Sequence, residues 1–225
     1  MSPREVVNAA LQKGLELIGI CDHNSAENVL AVKKAGARNG LMVLGGMEVT
    51  SAEEAHLLAF FDDDDDLLHF QEFIYQHLAG RNDEHSFGLQ VIADDEDGVK
   101  GFCDRLLIGA TSLPAERIVE AVRAAKGESL VIAAHVDREA FSIIGQLGFI
   151  PPRLALDGVE VSRNMTIAQA RERFPDCVKY PVITDSDAHR PEDVGSLFTC
   201  FTIEDGNIAE IKKALAGRDG RKAVC

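Results

Sequence analysis

A chain of 225 residues with 46% apolar content is long and apolar enough to bury a full core, which excludes a disordered chain and makes one domain over residues 1–225 the economical reading. Its formal charge of −14, with no basic cluster to offset it, argues against a nucleic-acid phosphate backbone as the main partner. No apolar run approaches the roughly 20 residues of a membrane span, Met1 to Glu5 lacks a signal-peptide pattern, and five scattered cysteines fit a reducing, cytoplasmic compartment.

Ser2-Pro3-Arg4-Glu5 reads as a capping box with proline in the first turn. Val6, Val7, Ala10 and Leu11 then share one helical face, which Gly14 closes. A strand over 15–20 follows, then the loop Asp22-His23-Asn24-Ser25, a helix over 26–38 and a strand over 41–50. This α, β, α, β alternation predicts a parallel sheet or barrel with right-handed crossovers. The apolar run 56–61 predicts a strand reached by a tight turn. The acidic run Asp62 to Asp66 reads as a solvated turn and helix N-terminus, where carboxylates favour the positive end of the dipole. His69 and His77, on a helix over 67–78, lie roughly 12 Å apart along its axis, too far to share one metal. Both read as surface residues.

Residues 79–101 are polar and glycine-rich, an excursion with a hairpin around 90–93 that is long enough to form a lid or lip. His85 lies within it as a lesser candidate. A helix opens near Pro114 and runs to about 126, with Ile118, Val119 and Val122 on its buried face. A strand over 129–135 and a short helical stretch over 139–147 come next, before Pro151-Pro152 forbids helix. A short strand over 159–161, a helix over 168–173, a strand over 182–184, a last strand over 198–203 and a terminal helix over 207–215 complete the pattern.

Several of these strands end in metal-type ligands. Leu17-Ile18-Gly19-Ile20 runs into Cys21-Asp22-His23, the strand from Leu41 reaches Glu48, and His56 heads Leu57 to Phe61. The run Leu130 to Ala134 stops at His135, and Val182-Ile183-Thr184 ends in Asp185-Ser186-Asp187-Ala188-His189. Side chains at the carboxyl ends of strands converge on one face of a barrel. A lone histidine at a strand end is more often a hydrogen-bonded core residue, so the weight lies in the set. Imidazoles and carboxylates gathered there suit zinc, manganese or iron, and one carboxylate can bridge two ions about 3.5–4 Å apart.

The segments Leu-Ile-Gly-Ile-Cys-Asp-His-Asn-Ser, Gly-Gly-Met-Glu-Val, His-Leu-Leu-Ala-Phe, Val-Ile-Ala-Ala-His-Val-Asp-Arg and Thr-Asp-Ser-Asp-Ala-His resemble, in order and spacing, motifs of the PHP (polymerase and histidinol phosphatase) family. The resemblance covers nearly the whole chain, with Cys21 standing where the family often has threonine. It implies an α/β fold, a distorted seven-stranded β/α barrel with a cluster of up to three divalent ions (Zn, Mn or Fe) at the carboxyl ends of its strands, hydrolysing phosphoesters. Glu48 would bridge two ions, His56 and His135 would complete the second ion's protein ligands, His23 and His189 would belong to a third, and Asp187 to the first. Asp22 would orient a ligand or accept a proton. Arg138, Arg163 and Arg190 follow strand-end motifs and would clamp phosphate oxygens.

One departure is large, since family members begin with a strand carrying His-x-His and that triplet occurs nowhere here. Either the gene start was placed at an internal methionine or the protein lacks its first strand; for the chain as given the expectation is a barrel without that strand, a second ion that alone keeps three protein ligands, weak or absent turnover, and an exposed edge that invites homo-oligomer contacts. The implied activity is metal-dependent hydrolysis of a small phosphorylated substrate, away from membranes. The alternatives are a non-catalytic metal-binding regulatory module and a nuclease-type phosphodiesterase acting on short nucleic acids or nucleotides.

Overall fold

In the computed structural model, which describes residues 1–225, the chain opens as its capping box requires. The Glu5 N–H donates to the Ser2 hydroxyl, the Ser2 N–H donates to the Glu5 carboxylate, and α1 runs Pro3–Gln12. Then follow β1 (Leu17–His23), α2 (Val29–Arg38), β2 (Met42–Thr50), β3 (His56–Phe61), α3 (Asp64–His77) and α4 (Glu84–Phe87). The hairpin β4 (Val91–Ala93) and β5 (Val99–Phe102) leads to α5 (Ala115–Arg123), β6 (Ser129–Ala133), α6 (Ile143–Leu147), β7 (Gly158–Glu160) and α7 (Ile167–Arg173). The chain ends with β8 (Val182–Ile183), β9 (Cys200–Thr202), α8 (Ile208–Leu215) and β10 (Lys222–Val224). No helix is long and apolar enough to cross a membrane.

Six strands form the main sheet in the order β1-β2-β3-β6-β7-β8, a curled half-barrel with one strand fewer than the seven of the expected barrel. Two features correct the sequence reading. The sheet is mixed, because β3 runs antiparallel to both β2 and β6 while β1/β2, β6/β7 and β7/β8 are parallel. Only residues 51–55 separate β2 from β3, far short of the dozen or so residues a parallel crossover needs. The strand expected over 198–203 stays outside the barrel sheet. As β9 it pairs antiparallel with β10, the strand after α8 that the terminal-helix reading left out.

Alternation along the strands sends side chains to two different cores. Met47 and Val49, Leu57, Ala59 and Phe61, Val131 and Ala133, and Val159 and Val161 join one large cluster with Leu67, Phe70 and Ile74 of α3 and Ile118, Val119 and Val122 of α5. The opposite parity, Leu58, Leu130, Ile132 and Ala134 with Leu44, Phe60 and Ile183, packs against Ile208 and Ile211 of α8. The α8 N-terminus is tied down by Asp62, whose carboxylate accepts from the Ile208 N–H at 3.0 Å. So α8 stops the inner face at the end of the strands where β3 finishes, and the other end stays open for the ligand-type residues.

The inner face closes around Phe60. A Cβ on Gly46 would lie 2.7 Å from each of the Ala59 carbonyl oxygen, the Cys21 Sγ and the Phe60 ring, and one on Gly19 would lie 2.6 Å from the same ring. Because a backbone atom stands in the way, Gly46→Ala is expected to cost about 1–3 kcal/mol, read as a lowered urea midpoint with unchanged slope. A second expectation concerns Glu210. Arg221 and Lys213 bond its carboxylate and hold its pKa down to about 2, well below the ordinary value of about 4.3. A depressed carboxylate contributes stability above its unfolded pKa and loses it as pH falls through the folded one. The melting-temperature gap between the wild type and Glu210→Gln should therefore be full above pH ~4.5 and vanish by pH ~2.

Candidate metal centre

The same parity that builds the inner core delivers the ligand-type side chains. On β1 it presents Gly19, Cys21 and His23, on β2 Leu44, Gly46 and Glu48, and on β3 His56, Leu58 and Phe60. Registry sets His23 beside Glu48 and Glu48 beside Leu58, so the open end of the inner face collects imidazole and carboxylate over a floor of leucine and isoleucine. His135 needs a further device. Ala134 already points inward, and a regular strand would turn the next residue outward. His135 instead has φ +27°, and this turn brings its Nε2 to 3.3 Å from the Glu48 Oε1.

Glu48 is the hub. His56 Nδ1 lies 2.8 Å from its Oε1, and His23 Nδ1 lies 3.1 Å from its Oε2. Four imidazoles stand in a row across it: His135 and His56 have ring centroids 5.3 Å apart, His56 and His23 5.3 Å, and His23 and His189 6.1 Å. Phe141 stacks on the outer side of the His56 ring at 4.9 Å. Ligand atoms of His23, Glu48 and His56 all lie within 4.8 Å of one another. His135, Phe141, Asp187 and Asn24 all carry positive φ, and backbone strain of this kind gathers at sites where side-chain direction matters. Asn24 has a visible compensation. Its amide donates to the Leu107 and Gly109 carbonyls at 2.8 Å, and its side-chain oxygen accepts from the Thr50 N–H at 3.0 Å, which locks the end of β1 to the end of β2.

The electrostatics are lopsided. Burial alone would push the Glu48 carboxyl up, but hydrogen bonds with His135 and His56 and the nearby imidazoles hold it well below the usual carboxylate range. Burial lowers His23 despite the attraction of Glu48, so the ring is neutral and a competent ligand near pH 7. Two further carboxylates share the mouth. Burial, then the charge of Asp185, pushes Glu160 well above its ordinary value, and burial, then Asp187 and Glu48, pushes Asp185 up to about 6. Three buried atoms here lack a hydrogen-bond partner: His23 Nδ1, whose approach to Glu48 is close but misaligned, His135 Nδ1 and Glu160 Oε1. Orphaned ring nitrogens beside crowded carboxylates form a donor set that fits a divalent cation.

Of the residues singled out in the sequence, His23, Glu48, His56 and His135 meet at this point. Asp187 and His189 lie at its rim, with His189 Nδ1 3.8 Å from Asp187 Oδ1 and largely exposed. Arg138 donates to Asp187 Oδ2 at 2.6 Å, so its guanidinium is engaged by a proposed ligand. Asp22 is exposed beside His23. Arg190 is exposed and its side chain makes no hydrogen bond or ion pair, while Arg163 pairs with Asp193 at 3.4 Å. His69 and His77 bond carbonyls one turn back on their own helix, and His85 is exposed, all away from the centre. Glu160 and Asp185 are the residues sequence reasoning passed over. The signal was present, since Asp185 has the parity of inward-facing Ile183, and Glu160 is set opposite Ile183 by registry.

The excursion after α3 forms a lip on this mouth. Asn28 pins β4 through the Val91 carbonyl and the Ala93 N–H, and the Gln90 side chain binds the Cys103 and Arg105 carbonyls and the Leu107 N–H. Arg105 stacks on Tyr75 at 4.4 Å, which fixes the segment to α3. Between lip and mouth is a cleft of about 250 Å³, with Asp22 and His23 on one wall and Val91, Ile92, Leu107 and Ile108 on the other.

The family described as PHP-associated matches residues 170–218, the stretch that includes Asp187 and His189. No curated protein matches the chain. Among solved structures, the lesion-specific endonuclease PfuEndoQ from Pyrococcus furiosus superposes with a TM-score of 0.73 at 20% identity, over 99% of this chain and 53% of its own. Endonuclease Q in complex with a 27-mer duplex bearing an abasic lesion gives 0.70 at 20% identity, over 99% and 53%. A protein from Bifidobacterium adolescentis, described as a metal-dependent phosphoesterase, gives 0.60 at 19% identity, over 96% of this chain and 93% of its own. The chain thus spans about half the length of the endonuclease chains it matches. Its curled sheet has the fold of these endonuclease and phosphoesterase structures, and its 170–218 segment matches the family described as PHP-associated.

Proposed function

We propose that this chain is a metal-dependent phosphoester hydrolase. The observation that carries this reading is one buried carboxylate, Glu48, gripped by His56 and His135 and approached by His23, with two ring nitrogens left unpartnered beside it. Glu48, His56 and His135 hold one ion, of zinc, manganese or iron; His23 and His189 serve a neighbouring position, and Asp187 shares a third with Glu48. A bound divalent ion supplies Lewis-acid charge at the phosphoryl group and lowers the pKa of the water it carries.

The rest falls to the chain's own groups. Asp187 orients Arg138, whose guanidinium still has donors for a non-bridging phosphate oxygen. Arg190, with no partner of its own, offers a second fork at the rim, and Asp22, beside His23, takes up a proton at the mouth. The alcohol part of the ester lies in the cleft against Val91, Ile92 and Ile108. The net charge of −14 does not repel an anionic substrate, because bound cations reverse the local field.

A phosphodiester in DNA is a second reading, favoured by the likeness to the endonuclease chains, and the acidic composition weighs against it. Assays on p-nitrophenyl phosphate, bis-p-nitrophenyl phosphate and an abasic-site duplex separate the readings. The expected result is hydrolysis of the monoester that depends on added manganese or zinc and stops with a chelator. Glu48→Gln and His56→Ala should each lower kcat/KM by more than about 100-fold, since even the partners of ligands typically cost 10–100-fold. Stoichiometric metal with no hydrolysis of any of the three would favour a regulatory metal-binding module. Arg138→Ala should lower kcat/KM roughly 10–100-fold, the worth of a hydrogen bond to a charged group, while metal content measured by elemental analysis stays unchanged.

A further inference from the structure

Phe141 is a costly residue at its position. Its φ is +59°, in the left-handed region that a bulky side chain rarely adopts, and it is 44% exposed. None of the three apolar cores includes it, so burial does not account for a phenyl ring there. Its aromatic partner is His56, on which the ring lies at 4.9 Å with 22° between the planes. The backbone repeats the grip, since the His56 N–H donates to the Phe141 carbonyl at 2.9 Å.

The loop around Phe141 holds this pose from both sides. Before it, the Val136 N–H donates to the Glu160 carbonyl at 2.9 Å, and the Asp137 carboxylate accepts from the Ser162 N–H and hydroxyl at 2.8 Å. After it, the buried Ser142 hydroxyl donates to the Arg138 carbonyl at 2.6 Å and accepts from the Gly145 N–H at 2.8 Å, which caps α6. Strain that neighbours enforce in this way marks a residue whose direction matters. The beneficiary is the imidazole. The χ2 torsion of a histidine is broad and roughly two-fold, so a ring at the mouth keeps its plane only where neighbours hold it. His23 and His135 meet the His56 ring at steep angles of 62° and 64°, and of its three aromatic neighbours only Phe141 lies flat against it.

We propose that Phe141 is a positioning residue: lying flat on the His56 imidazole, it fixes the plane of that ring, keeps Nδ1 on the Glu48 carboxylate 2.8 Å away, and so sets how tightly the centre holds a divalent ion. This rests on the metal reading given above and goes beyond it. Two features of one residue pull in opposite directions. The flat face needs an aromatic side chain, whereas glycine would adopt the left-handed backbone at less cost. Stability of the loop favours glycine at 141, and order in the imidazole row favours phenylalanine.

Three variants of the full chain separate these parts. Phe141→Tyr keeps the flat face, Phe141→Leu keeps apolar bulk and the strained backbone without the face, and Phe141→Gly relieves the backbone and removes the ring. The measurements are zinc affinity by competition with a chelating dye, magnetic-resonance relaxation of the His56 ring in the chelator-treated chain, and melting temperature. Phe141→Tyr should match the wild type in the first two. Phe141→Leu and Phe141→Gly should each bind zinc roughly 10–100-fold more weakly and show the His56 ring exchanging between orientations, while Phe141→Gly melts at or above Phe141→Leu. If Phe141→Gly fails to fold, Phe141→Leu gives both site readouts. A residue that only packs would lower the melting temperature and leave zinc affinity and ring order as they were; that outcome in the leucine variant would overturn the proposal. A wild type that takes up no zinc overturns the metal reading instead, and the order of the His56 ring then decides the role of Phe141.

Discussion

The arrangement turns on one buried carboxylate. Glu48 is drawn into an apolar floor of Leu58, Ile132 and Ala134, where a lone charge would be expensive, and it remains ionised because His56 and His135 bond it and His23 stands 3.1 Å away. Remove that hub and the imidazole row has nothing to face. The fold reflects this constraint: three strands and one left-handed turn, at His135, are needed to bring those four side chains to one place.

Sheet architecture and chemistry are two uses of one alternation. Parity along each strand divides the chain into an outer core that seats α3 and α5 and an inner face that begins at α8 and ends in imidazoles and carboxylates. Because α8 and Phe60 fill one end, the polar groups are confined to the other, where Asn24 ties strand ends together and the β4/β5 hairpin raises one wall. A neutral His23 ring beside carboxylates held up or down in pKa by their neighbours forms the kind of polarised pocket that marks a functional centre. In the proposed function a cation completes that pocket, and its charge also reconciles an acidic chain with an anionic ester.

Much of this was legible in the amino-acid order, and the exceptions are instructive. Ser2-Pro3-Arg4-Glu5 announces α1 because a capping box is a local interaction, and the strands that lead to His23, Glu48 and His135 announce themselves because an apolar run that reaches a ligand-type residue is also local. The direction of β3 is not written in its own residues; it follows from the five-residue link before it, which is too short to cross over. β9 reads like a barrel strand, yet its partner β10 lies beyond α8, a pairing that local pattern cannot reveal. Glu160 and Asp185 were hidden behind the louder Asp187 and His189, although parity with Ile183 pointed to them. The pairing of Arg138 with Asp187, 49 residues away, is tertiary information and has no local signal.

Anomalous X-ray diffraction from crystals soaked in zinc addresses the central claim most directly. The account predicts a peak bonded to Glu48 at about 2.0–2.2 Å, with imidazole nitrogens of the histidine row completing its coordination. Peaks confined to exposed residues such as His69 and His85, with the Glu48 carboxylate bare, would contradict it.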